Sequence, residues 1–179
     1  MSMPEAASAQ ATLRYQVKDV FSAHGFFTFT CVDEEGVEKW SEDIVPNTVV
    51  DEGKDYILGA ALSGLAQVTT HYLGLIQGSS PTIAAGDTLA SKAWTEDQSY
   101  DEASRQTWAE TGASGQSVTN SGAAASFTMN ASVTIGGAFL TSDNTKGGTT
   151  GTLIAAGTFS TARSVASGDT INVTYTINE

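Results

Sequence analysis

The chain has few side chains that can transfer protons or bind a metal. Histidine occurs only at His24 and His71, which are far apart in sequence. Neither takes part in the H-x-x-x-H or H-E-x-x-H spacing of zinc hydrolases, and we expect His71 to be a packed or rim residue rather than a ligand. The single cysteine, Cys31, excludes an internal disulfide or a cysteine-based zinc site within one chain. We predict that it is a small buried strand residue of a protein that folds in a reducing compartment.

A cluster of acidic residues around one arginine is a second candidate for a catalytic site. Asp97, Asp101 and Glu102 lie close in sequence to Arg105, and pairs of carboxyl groups catalyse glycoside hydrolysis. Such a site also needs a groove lined by aromatic residues, and the sequence around these acids does not indicate one. We therefore interpret the cluster as a solvated, partly ion-paired face.

Three glycine-rich or polar segments resemble known motifs only in part. Residues 146–152, KGGTTGT, have the lysine before the glycines, whereas a phosphate-binding loop has it after them, at a helix start. We predict a flexible hairpin loop there. Residues 112–115 lack the spacing of a G-x-S-x-G elbow, and Asp143-Asn144 lacks the other ligands of an EF-type calcium loop. The sequence thus predicts no catalytic residue, no cofactor site and no metal ligand, and a protein that is not an enzyme.

Composition indicates one acidic globular unit. The chain has 179 residues, of which 40% are hydrophobic and 16% charged, enough to bury a core without disulfides or metals. The formal net charge of −12 opposes binding to phosphate backbones, so we expect no nucleic-acid partner. The acidity is typical of a soluble surface that resists aggregation. The alternative is that it complements a basic surface on a partner. We also expect no membrane span, because no apolar run reaches roughly 18 residues, and no secretion signal.

The last third of the chain has the clearest periodicity. Apolar segments occupy residues 135–140, 153–159 and 171–177, separated by clusters of Gly, Ser, Thr, Asn and Asp. In the last segment apolar and polar residues alternate, which is the pattern of a strand with one buried face. Because a lone strand is unstable in water, the other two segments are predicted to supply strands that cover it. The residues predicted to share the buried face are Ile171, Val173, Tyr175 and Ile177.

Shorter alternating segments upstream extend this β-pattern. They predict a hairpin at residues 26–44 with a turn at 33–36, a loop at 81–91, and strands near 70–76, 105–108 and 125–129. The total of about eight to ten strands, with turns every 8–15 residues, favours a mostly β fold. We predict an antiparallel two-sheet β-sandwich over residues 25–179, jelly-roll-like before immunoglobulin-like, with one short helix.

The one helix is predicted at residues 51–65. Asp51 suits the N-cap, Glu52 suits the first turn, and Gly64 suits the end of the helix. An apolar stripe recurs at helical spacing and is expected to pack on the edge of the sandwich. Its members are Tyr56, Ile57, Ala60, Ala61 and Leu65.

Residues 1–24 are predicted to be an N-terminal arm or tail. Residues 1–10, MSMPEAASAQ, are small and lack periodicity, as in a segment that becomes ordered on a partner. Leu13, Tyr15 and Val17 alternate with polar residues, as in a strand or in a linker lying on a neighbouring subunit.

Nine segments, in this order, resemble a family of small structural proteins of tailed bacteriophages, and together they extend over roughly residues 25–179. They are VEKW at 37–40, PNTVVDEGKDYIL at 46–58, YLGLI at 72–76, AAGDTLA at 84–90, WTE at 94–96, YDEASR at 100–105, IGGAFL at 135–140, KGGTTGTL at 146–153 and GDTINVTY at 168–175.

The resemblance implies a non-enzymatic virion protein with a β-sandwich fold. The family is similar to capsid decoration or cement proteins, which implies that the chain bridges capsomers on the capsid surface after synthesis in the host cytoplasm. Its partners would be the major capsid protein and copies of itself, as a dimer or trimer. The alternative is a tail, fibre or baseplate component, including a carbohydrate-binding one. A third hypothesis, from another class, is a glycan-processing enzyme.

Overall fold

A computed structural model describes residues 23–179, and these form ten strands and one helix. The predicted arm, with its alternation at residues 13–17, therefore lies outside the described residues except for its last two positions, and β1 begins at His24. In chain order the elements are β1 (His24–Val32), β2 (Glu38–Val49), α1 (Asp51–Leu62), β3 (Tyr72–Gln77), β4 (Glu96–Asp97), β5 (Gln106–Thr107), β6 (Ser117–Thr119), β7 (Ala125–Thr128), β8 (Val133–Thr141), β9 (Leu153–Val165) and β10 (Thr170–Asn178).

All strand pairs are antiparallel, and they join into one curled sheet. The order along the sheet is β4-β3-β8-β9-β2-β1-β10-β6, with β5 paired to β3 and β7 paired to β10. The long strand β2 contributes to both halves, because Val45 pairs with Phe27 of β1 whereas Asn47 pairs with Gly157 of β9. The prediction of a mostly β, antiparallel fold with one short helix is confirmed.

The inner side of the curled sheet encloses the main core. Ile171, Val173 and Tyr175 are fully buried there, as their alternation predicted, while Ile177 is only half-buried. The ring of Tyr175 lies 4.5 Å from that of Phe27, the partner of Tyr175 in the β1–β10 ladder. Cys31 is also buried, as predicted, and burial raises the pKa of its thiol to about 11.

The helix begins at the predicted residue, Asp51, but differs from its prediction in its N-cap and in its end. Val50 is the N-cap and makes no side-chain cap, so Asp51 is already helical rather than capping. The helix ends at Leu62, three residues early, because Gly64 takes a positive φ of 73° and the Leu65 amide donates to the Gly59 carbonyl. Gly64 therefore has the terminating role that the sequence predicted.

The helix packs mainly through its first turn. Gly53 is its one buried residue, and a Cβ at this position would overlap the backbone carbonyl of Ile154 in β9. The predicted apolar stripe is not a core face: Tyr56, Ile57 and Ala60 are half-buried, and Ala61 and Leu65 are exposed. The physical reason is that only the glycine lets the helix backbone approach the sheet closely, so the stripe is covered in part, at Tyr56 and Ile57, and not along its whole length.

Candidate functional site

The acidic cluster is largely buried, which corrects the prediction of a solvated face. Asp97 and Arg105 are among the most buried residues of the described chain, Glu102 is half-buried, and only Asp101 is exposed. The carboxylate of Glu102 accepts a hydrogen bond from the Thr128 amide at 3.1 Å. Asp97 and Glu102 are thus fixed in the packing between loops, whereas Asp101 is presented to solvent.

Arg105 is the centre of this cluster, and its partner is Glu96, a residue that was not predicted from the sequence to belong to the cluster. The guanidinium donates to both carboxylate oxygens, at 2.9 Å from Nε and 2.7 Å from Nη2. It also donates to the backbone carbonyls of Asp143 at 2.9 Å and Gly148 at 2.7 Å. One buried cation therefore joins β4, the segment before β5 and the β8–β9 loop.

The glycine-rich loop at residues 146–152 connects the antiparallel pair β8 and β9, so the predicted hairpin loop is confirmed, but the loop is anchored rather than flexible. The Gly147 amide donates to Glu96 Oε2 at 3.1 Å, and Lys146 Nζ donates to the Tyr100 carbonyl at 2.7 Å. The same ammonium group lies 4.0 Å from the centre of the Tyr100 ring, a cation–π contact. The lysine is thereby engaged in holding the loop.

Two polar atoms in this region are buried without a hydrogen-bond partner: Asp97 Oδ2 and the Tyr100 hydroxyl. Burial raises the pKa of the Asp97 carboxyl, although the Ser99 amide donates to its other oxygen at 2.9 Å. Burial likewise raises the pKa of the Tyr100 hydroxyl. With Asp97 fully buried, its carboxyl does not face a surface cavity, and we assign the cluster to holding the loops together.

An apolar groove lies between α1 and the segment around Trp108–Val118. Its volume is about 950 Å³, and a neighbouring recess of about 310 Å³ extends to Ala23 and Glu179. The two cavities share lining residues from α1, the segment before β6, β6 itself and β10. These residues are Ile57, Ala113, Val118 and Ile177.

His71 lies in the wall of this groove, just before β3. Its ring contacts Tyr56 and Trp108 edge-on, with centroid distances of 5.7 Å and 6.3 Å. Desolvation lowers the pKa of the imidazole below its usual 6.5, and the carboxylate of Glu110 opposes this only in part. His71 is therefore a packed aromatic residue, as the sequence analysis expected.

The lowered pKa of His71 predicts a pH-dependent stability. Below about pH 6.5 the unfolded chain binds more protons at His71 than the folded chain does, so this contribution to the free energy of unfolding falls as the pH falls. We expect His71→Phe, which keeps a ring and removes the titration, to gain stability relative to the wild type as the pH is lowered from about 7.5 to about 5. Urea unfolding of both proteins over this range measures the effect. Parallel stability curves would show that His71 is not desolvated.

Three leucines form an exposed apolar surface on the outer side of α1, hereafter the leucine face. Leu58 and Leu62 are one helical turn apart, and Leu65 folds back onto Gly59. Their exposed fractions are 45%, 80% and 50%. This surface was not predicted from the sequence, because Leu65 was assigned to the stripe that packs on the sandwich edge. The i, i+4 pair of leucines was the available signal.

Tyr56 connects the helix to the loop that follows it. Its hydroxyl accepts a hydrogen bond from the Val68 amide at 2.8 Å, and its ring packs against the core from a half-buried position. We expect Tyr56→Ala to lower the free energy of unfolding by about 2 kcal/mol, below the range for fully buried aromatic residues. Tyr56→Phe should cost about 1 kcal/mol, since it removes only the hydroxyl. Thermal melts of the three proteins test this, and coincident melts would mean that the ring contributes nothing.

Within residues 23–179, no three side chains of His, Cys, Asp or Glu come together in a way that could hold a metal ion. The same part of the chain contains no helix with the length and apolar character needed to cross a membrane. Comparison of the chain with models of known protein families and with curated proteins finds no match.

Proposed function

We propose that this protein is a structural component of a tailed-phage virion, a capsid decoration protein that stabilises the head by bridging capsomers. The observation that carries the proposal is the leucine face, where Leu62 is 80% exposed on a helix attached to the sheet mainly through its first turn. Large apolar side chains that are exposed on one helix are a feature of sites of protein association. The resemblance of nine ordered sequence segments to phage structural proteins supports the choice of a phage virion as the assembly in which this surface is used.

The proposed partners are the major capsid protein and other copies of this chain. A symmetric dimer or trimer would repeat the leucine face, and many modest contacts on a shell add up through multivalency. The excess of 20 acidic over 8 basic residues favours a basic region on the capsid partner, and it disfavours nucleic acid as a ligand. In this proposal the protein is made in the host cytoplasm and resides on the capsid surface, as a non-enzymatic component.

We further propose that the two halves of the curled sheet act as the two layers of a jelly-roll-like sandwich. An aromatic contact across the core supports this arrangement: the rings of Phe29 in β1 and Phe159 in β9 lie 4.6 Å apart, edge to face. Strand β2, which pairs with both halves, would form the corner between the layers.

Occupancy on purified heads tests the proposed function. We expect Leu62→Asp to lower occupancy about tenfold, since burying one leucine contributes about 1.5 kcal/mol or more to association. Thr149→Asp introduces the same charge at an exposed loop position and should bind as the wild type does. Heads that lack the protein should lose their genome at a lower temperature. If the protein is absent from tailless heads but present on isolated tails, the tail, fibre or baseplate alternative replaces the proposal.

A further inference from the structure

We propose that the apolar groove beside α1 is filled by residues 13–21 of the same chain. The first observation is where the described chain begins. Ala23 itself lines the smaller recess, directly before β1 starts at His24. His24 pairs with Asn178, so the entry into β1 and the end of β10 lie side by side at the mouth of the groove. Whatever precedes Ala23 starts at this site.

The second observation is the pattern of residues 13–21, LRYQVKDVF. In an extended chain Leu13, Tyr15, Val17 and Phe21 point to one side, with Asp19 as the one polar residue among them. Nine extended residues span about 30 Å, long enough to pass from the recess at Ala23 along the larger groove. In this proposal Phe21, two residues from Ala23, occupies the recess. Val17 and Tyr15 occupy the larger groove.

The third observation is the match in polarity and charge. The walls of the recess are mostly apolar, and those of the larger groove are of mixed polarity. Leaving Ile57, Val118 and Ile177 only partly covered forgoes stabilisation that the apolar side of a strand would supply, while the polar side of that strand would suit the polar part of the groove. The groove and the recess also contain the carboxylates of Glu110 and Glu179, whereas the segment contributes Arg14 and Lys18.

The tether favours the chain's own segment over that of a second copy. A segment attached at Ala23 is held beside the groove at an effective concentration in the millimolar range, which a separate molecule reaches only in concentrated solution. Residues 1–10 are then left beyond the groove, free for the contact with a partner that their composition predicts. The inference does not depend on the capsid role.

Hydrogen exchange of the full-length chain tests the inference through one matched pair of variants. Val17→Asp places a charge on the apolar side of the segment, and Gln16→Asp places the same charge on its polar side. We expect Val17→Asp to speed amide exchange about tenfold in the groove walls, residues 56–62 and 113–118, and Gln16→Asp to leave it unchanged. A second pair probes the wall: Ala113→Asp, at an exposed position in the groove, should have the same effect, and Ala124→Asp, exposed elsewhere, should have none. Near-ultraviolet circular dichroism checks that all four variants keep the native core.

The combined variant and a dilution series complete the test. Val17→Asp with Ala113→Asp should exchange no faster than either alone, because both remove the same contact. Protection of the groove should persist over roughly a hundredfold dilution, since an intramolecular contact does not depend on concentration. Protection that disappears on dilution would assign the groove to the arm of a second copy. Groove amides that exchange alike in all variants, or that become protected only when heads are added, would also overturn the inference.

Discussion

Val173→Asp is expected to leave no soluble protein that unfolds cooperatively. Val173 is fully buried in β10, between ladders to β1 and β7, and the ring of Phe29 faces it in the register. A carboxylate placed there without a partner costs several kcal/mol, a large part of the 5–15 kcal/mol that typically stabilises a domain. Thr174→Asp is the control, because Thr174 is the next residue of the same strand and its side chain is on the opposite, half-exposed face.

The yield of soluble protein and its thermal unfolding measure this effect. The control should fold and melt near the wild-type temperature, since it alters charge on the partly solvated side of the sheet. A soluble Val173→Asp protein with a cooperative transition would show that the register of β10 is wrong.

Arg105→Met is expected to cost about 3–5 kcal/mol, the second-largest effect among these predictions. The substitution leaves the carboxylate of Glu96 buried without its cation, and it removes the donors to the carbonyls of Asp143 and Gly148. Adding Glu96→Gln to Arg105→Met should recover part of the loss, because the buried charge is then gone. Urea unfolding of the two variants measures the difference.

Arg163 supplies the matched comparison. It forms an ion pair with Glu42 in which the two side chains are 40% and 20% exposed. Solvent screens such a pair, so Arg163→Met should cost no more than about 1 kcal/mol. Equal losses for Arg105→Met and Arg163→Met would mean that burial adds nothing to the Arg105–Glu96 pair.

The parts of the fold that were predictable are those that local sequence determines. The alternation from Ile171 to Tyr175 is visible in the sequence because strand geometry repeats every two residues. Gly64 terminates the helix through its own backbone conformation, and that too is a local property. Both predictions required no knowledge of neighbouring segments.

The buried polar cluster was not predictable in this way. The partners of Arg105 are Glu96 and the backbone carbonyls of Asp143 and Gly148, which lie 38 and 43 residues downstream. These two carbonyls belong to a loop whose composition indicates flexibility. The prediction for the apolar stripe of the helix was wrong for a related reason. Whether this stripe is buried depends on how closely α1 approaches β9, and that distance depends on one tertiary contact, the contact of Gly53 with β9. Periodicity locates a surface on a helix, but it does not reveal what covers that surface.

The ends of the strand ladder limit how copies of this chain can associate through their backbones. The strands at the two ends of the ladder, β4 and β6, have two and three residues, and β5 and β7, which pair beside them, have two and four. A long free edge would offer a row of unpaired amides and carbonyls on which further chains could polymerise into fibres. At these two ends of the sheet, edges this short offer almost no such template. Copies of the chain should therefore not extend the sheet from either end, and where they meet there through side chains, an assembly can be limited to a defined number of subunits.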